Sequence, residues 1–574
     1  MRSFVEELLR LGALPSEPDE RGNTPLHIAA SLGHDSILAL LLLQKAAVNV
    51  LDGEDRAPVH LAAGRGSSLD AVEALVSAHA DLNLRFGDAD ESPMDCATYF
   101  GYVDIMRALI QHGLGVNDAG ATRMTPLHIA AGQAQVPAIE VLAEAGADVG
   151  AEEYGNGDTP LHLATGSASV DSVACLLRHG ADANKLNGDR LSALHLAAKD
   201  GAADMVHALL AAGAQPNLLA GEEDKTGLTA LHMAISNMDT GVIDALVEAG
   251  AEVDAQGGET FETPLHLATK LGSFDAVTIL LTHEADPNKL NRDKRGALHL
   301  AAQSGSTAII QALVAEGAHP SLSEGINGIT PLALAAAGRH GEAVASLVQH
   351  RPSVNAQDDH RRTALHFFAS NDDAAVIDML AAAGANVDAT NYMGWTPLHF
   401  ASSGGCIEAI SALMKHGSDG HIRNFDRDSP LQLAVYTEDC AAVTALLVGG
   451  ADPLLSNGKY EPPLFLAADS SNLDVLKALI RHGADVNGRS MDCSALHAAA
   501  TKKDVDVVEA LIAAGANLEA EADRGDTPFH YALQWGCSEV VLALSKVWRR
   551  PDQADGQRPW RTSRGCRRRY CVLR

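Results

Sequence analysis

The sequence predicts a mostly α solenoid of stacked helix pairs joined by β-hairpin-like turns, and three observations predict it. A tetrapeptide close to Thr-Pro-Leu-His recurs sixteen times, beginning at Thr24, Ala57, Ser92, Thr125, Thr159, Ser192, Thr229, Thr263, Gly296, Thr330, Thr363, Thr396, Ser429, Pro462, Ser494 and Thr527, in steps of 32 to 37 residues. A second apolar pattern follows each copy after a short break, and a Gly-Ala-Asp turn or a relative of it closes the unit, as at Gly146, Gly180, Gly250, Gly450 and Gly483. Aromatic residues make up only 4% of the 574, so the core has to be filled by small side chains. Self-similarity at a fixed period of about 20–50 residues marks a repeat array and displaces any count of domains by length.

The elements follow in chain order. Residues 1–23 read as a partial N-terminal repeat, because Phe4-Val5-Glu6-Glu7-Leu8-Leu9 matches a second helix and turn whose first helix is absent. Glu6 and Glu7 stand where a signal peptide would carry its apolar stretch. Residues 24–545 form the array. In Thr125-Pro126-Leu127-His128 the hydroxyl caps a helix N-terminus, proline at the first helical position loses no needed donor, and leucine opens the buried face. The spacing of Val507, Val508, Leu511 and Ile512 gives the second helix one apolar stripe. Glycine after that helix supplies a left-handed turn, and its slot is read as Ala46, His79, Glu284 and Arg351 in four units. The cap histidine is replaced at Asp95, Ala333, Gln432 and Phe465. Joints with either kind of departure are expected to be softer. The 37-residue step contains Gly221-Glu222-Glu223-Asp224-Lys225, an enlarged acidic finger read as a solvated loop. Residues 546–574 lack periodicity and form a basic tail expected to be disordered.

These features resemble the ankyrin repeat, a hairpin-like turn followed by two antiparallel helices in units of about 33 residues. The resemblance covers roughly residues 2–545, since cap, turn and period agree in register over most copies. It implies a curved stack with a concave groove and projecting hairpin tips that bind other proteins. It also implies that the cap histidine bridges its own motif to neighbouring backbone.

Charge and missing motifs narrow the function. The chain carries 43 Lys and Arg against 74 Asp and Glu, a formal −31. Residues 546–574 hold ten Lys or Arg and two Asp, leaving residues 1–545 at −39. Such a body repels phosphates and anionic membranes, so the array is not expected to bind nucleic acid or lipid and favours neutral or basic protein surfaces or peptide segments. No apolar run approaches the ~20 residues of a membrane span. Eight cysteines form no C-x-x-C pair, which fits free thiols in a reducing compartment and a cytoplasmic location, with the nucleus open through the basic tail. Gly155-x-Gly157 lacks a third glycine, Gly458-Lys459 is followed by Tyr460, and no G-x-S-x-G or H-E-x-x-H occurs. Twelve of 25 histidines occupy the cap motif, and His112, His179, His283, His350, His416 and His482 precede the glycine slot or its substitute. Both sets are read as structural. No catalytic residue, metal ligand or cofactor is expected.

The function read from this is a non-catalytic protein-interaction scaffold or adaptor. The alternatives are the recognition part of a larger protein, such as a ubiquitin-ligase adaptor, enzyme or channel subunit, and a mechanical spacer. Three consecutive turns carry rings, namely Tyr392 and Trp395, Phe425, and Tyr460, with Tyr436 on a neighbouring first helix. Exposed Tyr and Trp are frequent binding hot spots, so these five are the candidate partner-binding residues. Trp395 has a structural reading too, as packing on the adjacent hairpin. Limited trypsin treatment is expected to remove the chain beyond about Arg550 and leave the melting of the array unchanged; a resistant tail, or an array that melts much lower without it, overturns that boundary.

Overall fold

The computed structural model describes residues 1–66, 68–221, 227–323, 328–491, 493–522 and 525–548. The acidic finger from Glu222 to Lys225 and the tail from Arg549 onward lie outside the described residues. The chain divides into two units, Met1–Arg292 and Asp293–Arg574.

The first unit opens with helix Arg2–Arg10, which packs on Asp35–Leu43 and leaves Phe4, Leu8 and Leu11 exposed. Among the described residues eight helix pairs follow, each a short first helix and a longer second one, from Pro25–Ser31 with Asp35–Leu43 to Pro264–Leu271 with Phe274–Thr282. The 35-residue step from Ala57 to Ser92 differs locally: its first helix, Pro58–Leu61, runs on into a π-turn, Ala62–Gly66. A π-turn is a usual way for a helix to take up inserted residues. Among the described residues the second unit contains another eight pairs, from Ala297–Ser304 with Thr307–Ala315 to Pro528–Gln534 with Ser538–Trp548. Within each unit, first helices stack on first helices and second on second.

The core is built from small residues. In the pair Pro397–Gly404 and Ile407–Lys415, Leu398, Ala401, Ala409, Ile410 and Leu413 are wholly buried. Burying a Leu or Ile contributes about 2 kcal/mol, so stability accrues in equal instalments along each unit. Phe368 is the one ring among the buried apolar side chains of the described residues.

The left-handed turn after the second helix falls at His79, Glu284 and Arg351, as expected, with φ of 65°, 64° and 53°. In the first repeat it falls at Lys45, φ 58°, and not at Ala46. The reason is the closing hydrogen bonds: Lys45 N donates to Leu42 O and Ala46 N to Leu41 O, the pattern that Gly146 and Ala147 make with Ala143 and Leu142. Ala46 is therefore the buried residue after the turn. Among the described residues the fingers contain almost no regular strand. Arg489–Ser490 pairs with Cys493–Ser494, and single bridges join Phe86 to Glu91, Ala220 to Leu228 and Gly257 to Glu262.

The cap histidine ties each repeat to the next. His399 Nδ1 accepts from the Thr396 backbone N–H at 3.1 Å, which makes Nε2 the protonated nitrogen, and Nε2–H donates to Asp428 O at 3.2 Å. The same pair of contacts links His27 to Arg56 O, His128 to Asp158 O, His162 to Leu191 O, His366 to Trp395 O and His497 to Asp526 O. The four replaced caps behave differently from one another. Gln432 reproduces both contacts, accepting from Ser429 N at 2.7 Å and donating to Leu455 O at 2.9 Å and Glu461 O at 3.3 Å. Asp95 accepts from Ser92 N, but its other oxygen is buried without a partner. Ala333 and Phe465 carry no polar side-chain atom for the bridge. The bridge is thus kept at one of the four departures, Gln432.

Burial pushes the cap histidines His27, His60, His128, His162, His195, His232, His366, His399 and His497 below their ordinary 6.5, to about 4 at His366 and His399. Their folded pKa lies below the unfolded one, so the stability they contribute is complete above pH 6.5 and is lost as pH falls through the folded value. A shift of that size is worth about 3 kcal/mol at a single site. Thermal melts are expected to fall steeply between pH 6.5 and 4. His399→Gln, copying Gln432, is expected to melt within a few degrees of the parent at pH 7.5 and to lose less on acidification; an unchanged acid slope refutes this assignment.

Candidate functional site

The fingers are shaped by a polar residue that accepts twice from its own loop. Asn391 Oδ1 accepts from Met393 N and Trp395 N, both at 2.9 Å, and Asp52, Asp358 and Asn457 repeat that fork. Such side chains imitate a backbone turn and hold a loop without a strand. Successive tips are then joined backbone to backbone: Tyr392 N donates to His360 O at 3.2 Å and Phe425 N to Met393 O at 3.1 Å. The fingers that carry His360, Tyr392 and Phe425 are thus a connected row, and side chains at their tips stand in successive repeats.

The five candidate residues take three different places in this row. Tyr392 and Phe425 occupy equivalent positions, four residues before Thr396 and Ser429, and are 52% and 76% exposed. The Tyr392 ring lies tilted against His360, centroids 5.4 Å apart. Phe425 lies over Gly394, where an added Cβ would come within 2.9 Å of the ring, so glycine at φ 74° serves both the turn and the aromatic above it. Tyr460 sits at the left-handed position of its finger, φ 62°, and is 64% exposed. Its counterparts are Gly394 and Arg427, so the tip holds whatever side chain tolerates that backbone.

Trp395 is half-buried and packs inward. Its ring meets Phe400 edge-on at 5.3 Å and lies 6.1 Å from His399, while its carbonyl accepts the His366 bridge. Its indole N–H is buried with no acceptor. Tyr436 does both jobs: its ring is half exposed, its hydroxyl donates to Asp428 Oδ1 at 3.2 Å and accepts from Asn457 Nδ2 at 2.8 Å. That hydroxyl joins one finger to the next. Burial raises the Asp428 carboxyl above its ordinary range.

Sequence reasoning missed two neighbours and one distant tip. Met393 is exposed beside Tyr392, and His360 is its ring partner. Their signal was positional, since both lie three residues before a cap threonine. In the first unit Tyr154 is 76% exposed at a tip whose N–H donates to Thr122 O at 2.8 Å, and the next tip presents Gly188. The second unit carries exposed rings on three consecutive fingers, and its cap histidines His366, His399 and His497 are committed to backbone at both nitrogens. The exposed tip rings offer a surface for recognition.

Comparison with known proteins agrees. A family model described as ankyrin repeats in three copies matches residues 1–86, 60–153, 150–220, 218–291, 265–358, 298–391, 353–426, 431–522 and 464–552. The chain is 33% identical over 154 residues to the nuclear factor NF-kappa-B p105 subunit of Gallus gallus, covering 26% of this chain and 16% of that protein. It is 37% identical over 134 residues to neurogenic locus notch homolog protein 1 of Homo sapiens, covering 23% of this chain and 5% of that protein. The chain thus spans a small fraction of the length of these curated relatives. No helix of the described residues is long and apolar enough to cross a membrane.

The two kinds of ring separate by stability. Trp395→Ala is expected to destabilise the second unit by about 1–3 kcal/mol in denaturant melts, as loss of a partly buried aromatic does. Phe425→Ala and Tyr460→Ala are expected to stay within about 0.5 kcal/mol of the parent. Equal losses at all three would place the tip rings in the packing as well.

Proposed function

The chain belongs to the ankyrin repeat family, and from that premise we propose that it is a non-catalytic scaffold or adaptor that presents finger tips and adjoining first-helix faces to partner proteins. Ankyrin repeats are protein-interaction modules, and no catalytic family matches. The observation that carries the finer reading is the exposure of Tyr392, Phe425 and Tyr460 on successive fingers of the second unit. Rings on short backbone turns lose little conformational freedom on binding and bury a large area, which is why such residues dominate interface energies. Tyr436 adds a ring whose hydroxyl is already satisfied. The partner that fits is a neutral or basic segment carrying its own apolar anchors, because the surrounding body is strongly acidic.

A second reading is that the array is the recognition part of a longer protein. Its support is that the matched repeats occupy only 16% and 5% of the two relatives. Both readings assign the same surface and differ in what the bound partner is delivered to.

A partner captured by the full chain, identified by mass spectrometry and made recombinantly, supplies the test. The triple variant Tyr392→Ala, Phe425→Ala, Tyr460→Ala is expected to weaken that partner at least about tenfold, roughly 1.4 kcal/mol, with circular dichroism unchanged. Parent-like affinity for the triple variant moves the site elsewhere on the array.

A further inference from the structure

Second helices of neighbouring repeats lie side by side, and in the first unit two of them bring three metal-binding side chains together. Glu140 stands on Val136–Glu144, Cys175 on the following second helix, Val170–Arg178, and His179 caps the C-terminus of that helix. The Cys175 thiol donates to Glu140 Oε2 at 3.3 Å, and His179 Nε2 lies 3.8 Å from Glu140 Oε1. All three candidate ligand atoms are within 4.8 Å of one another. Around a tetrahedral zinc ion with bonds of about 2.0–2.3 Å, neighbouring ligand atoms sit about 3.3–3.7 Å apart. Modest rotation of the Glu140 and His179 side chains closes the difference.

The sulfur sets this joint apart from its equivalents. The sixth residue of the second helix is alanine in many repeats, as at Ala108, Ala208, Ala412 and Ala478, and a cysteine in this one. The second unit supplies a natural control. There Asp378 faces His416 Nε2 at 2.6 Å and Lys415 Nζ at 3.1 Å, in the positions of Glu140, His179 and Arg178, with Ala412 in place of the cysteine. That joint is an ion pair. The Glu140 joint has the same carboxylate and imidazole plus a soft donor, and a thiolate beside an imidazole selects zinc over magnesium or calcium.

We propose that Glu140, Cys175 and His179 form a zinc site that clamps two neighbouring second helices, with water as the fourth ligand. Cys175 is buried, while Glu140 and His179 are partly exposed and give the ion its way in. Arg178, 3.5 Å from Glu140 Oε1, is largely exposed and turns to solvent when the ion takes its place. Without metal, burial and the facing carboxylate push the Cys175 thiol up to about 11, so it is protonated and unreactive. On binding, the S–H proton leaves to solvent as the S–Zn bond forms. Nε2 of neutral His179 gives its lone pair and Glu140 one carboxylate oxygen, and nothing is oxidised or reduced. The two helices already pack on one another, and the clamp adds to that joint.

Cobalt(II) titration of the full chain, followed by displacement with zinc(II), tests this. Expected is a near-ultraviolet thiolate-to-cobalt absorption that zinc abolishes. Cys175→Ala, which installs the residue common at equivalent positions, is expected to remove the band while keeping the parent's helical circular dichroism. Glu140→Gln and His179→Ala are expected to weaken cobalt at least about tenfold, since losing a direct ligand costs no less than losing its supporting partner. Asp378→Ala is expected to change nothing. A thiolate band that survives Cys175→Ala, or saturation with cobalt that yields no thiolate band, overturns the proposal.

Discussion

A neutral imidazole, held by two backbone groups from two different repeats, is the contact on which the array depends. Nδ1 can accept the N-cap amide only if Nε2 carries the proton, and that proton is what reaches the carbonyl of the next finger. His399 makes the arrangement concrete: one ring fixes the start of its own helix and the position of the Asp428 carbonyl. An unbridged carbonyl at that depth would cost on the order of 1–3 kcal/mol. The helix start and the repeat-to-repeat joint are therefore a single interaction, which is why the tetrapeptide recurs more faithfully than any other part of the unit.

A second ladder runs behind the fingers and shares the load. Asn117 Oδ1 accepts from Asp148 N and its Nδ2 donates to Gly146 O, and Asn184, Asn217, Asn355 and Asn487 take the same place between their neighbours. The Asn184 and Asn217 joints thus have two polar ties in addition to their apolar contact, His162 and His195 supplying the other, and the Asn355 and Asn487 joints keep this tie where Ala333 and Phe465 supply no bridge. This explains how Ala333 and Phe465 are accommodated without breaking the stacking of helices around them. It also explains Gln432, whose amide offers an acceptor and a donor with nearly the spacing of the two ring nitrogens.

Much of the fold was legible because period, cap and turn are written in residue types with few substitutes. Thr or Ser before Pro-Leu-His can hardly be anything but a helix start, and the first and second helices lie where those patterns put them. What escaped depended on geometry that composition does not carry. The turn residue in the first repeat was misplaced by one because Lys45 and Ala46 are both possible there, and only the closing bonds to Leu42 and Leu41 choose between them. The forked acceptors Asp52, Asp358, Asn391 and Asn457 read simply as loop-forming residues, since nothing in the sequence tells which loop N–H groups they meet. Among the rings, sequence placed five in one region and gave a packing reading to Trp395 alone, but only the coordinates show Trp395, one residue before a cap, turned toward Phe400 and Phe425, four residues before a cap, turned out.

That distinction says where such an array is free to vary. The residue just before the cap lends its carbonyl to a bridge, so its side chain is carried inward, as at Trp395. The residue four before the cap lends only its N–H to the neighbouring tip, as Tyr392 and Phe425 do, and its side chain is released to solvent. Tyr460 shows the third case, a left-handed backbone that tolerates glycine, arginine or tyrosine at equivalent sites because the side chain touches little of the frame. Variation at these two finger positions leaves the bridging histidines and forked acceptors untouched, so the same backbone can display rings in one unit and polar tips elsewhere. In the proposed scaffold role the acidic body acts before contact, drawing in basic segments at a rate that falls with salt, while the rings act after it, through area buried at the tips. Selection of a partner and construction of the frame are carried by different atoms of the same finger.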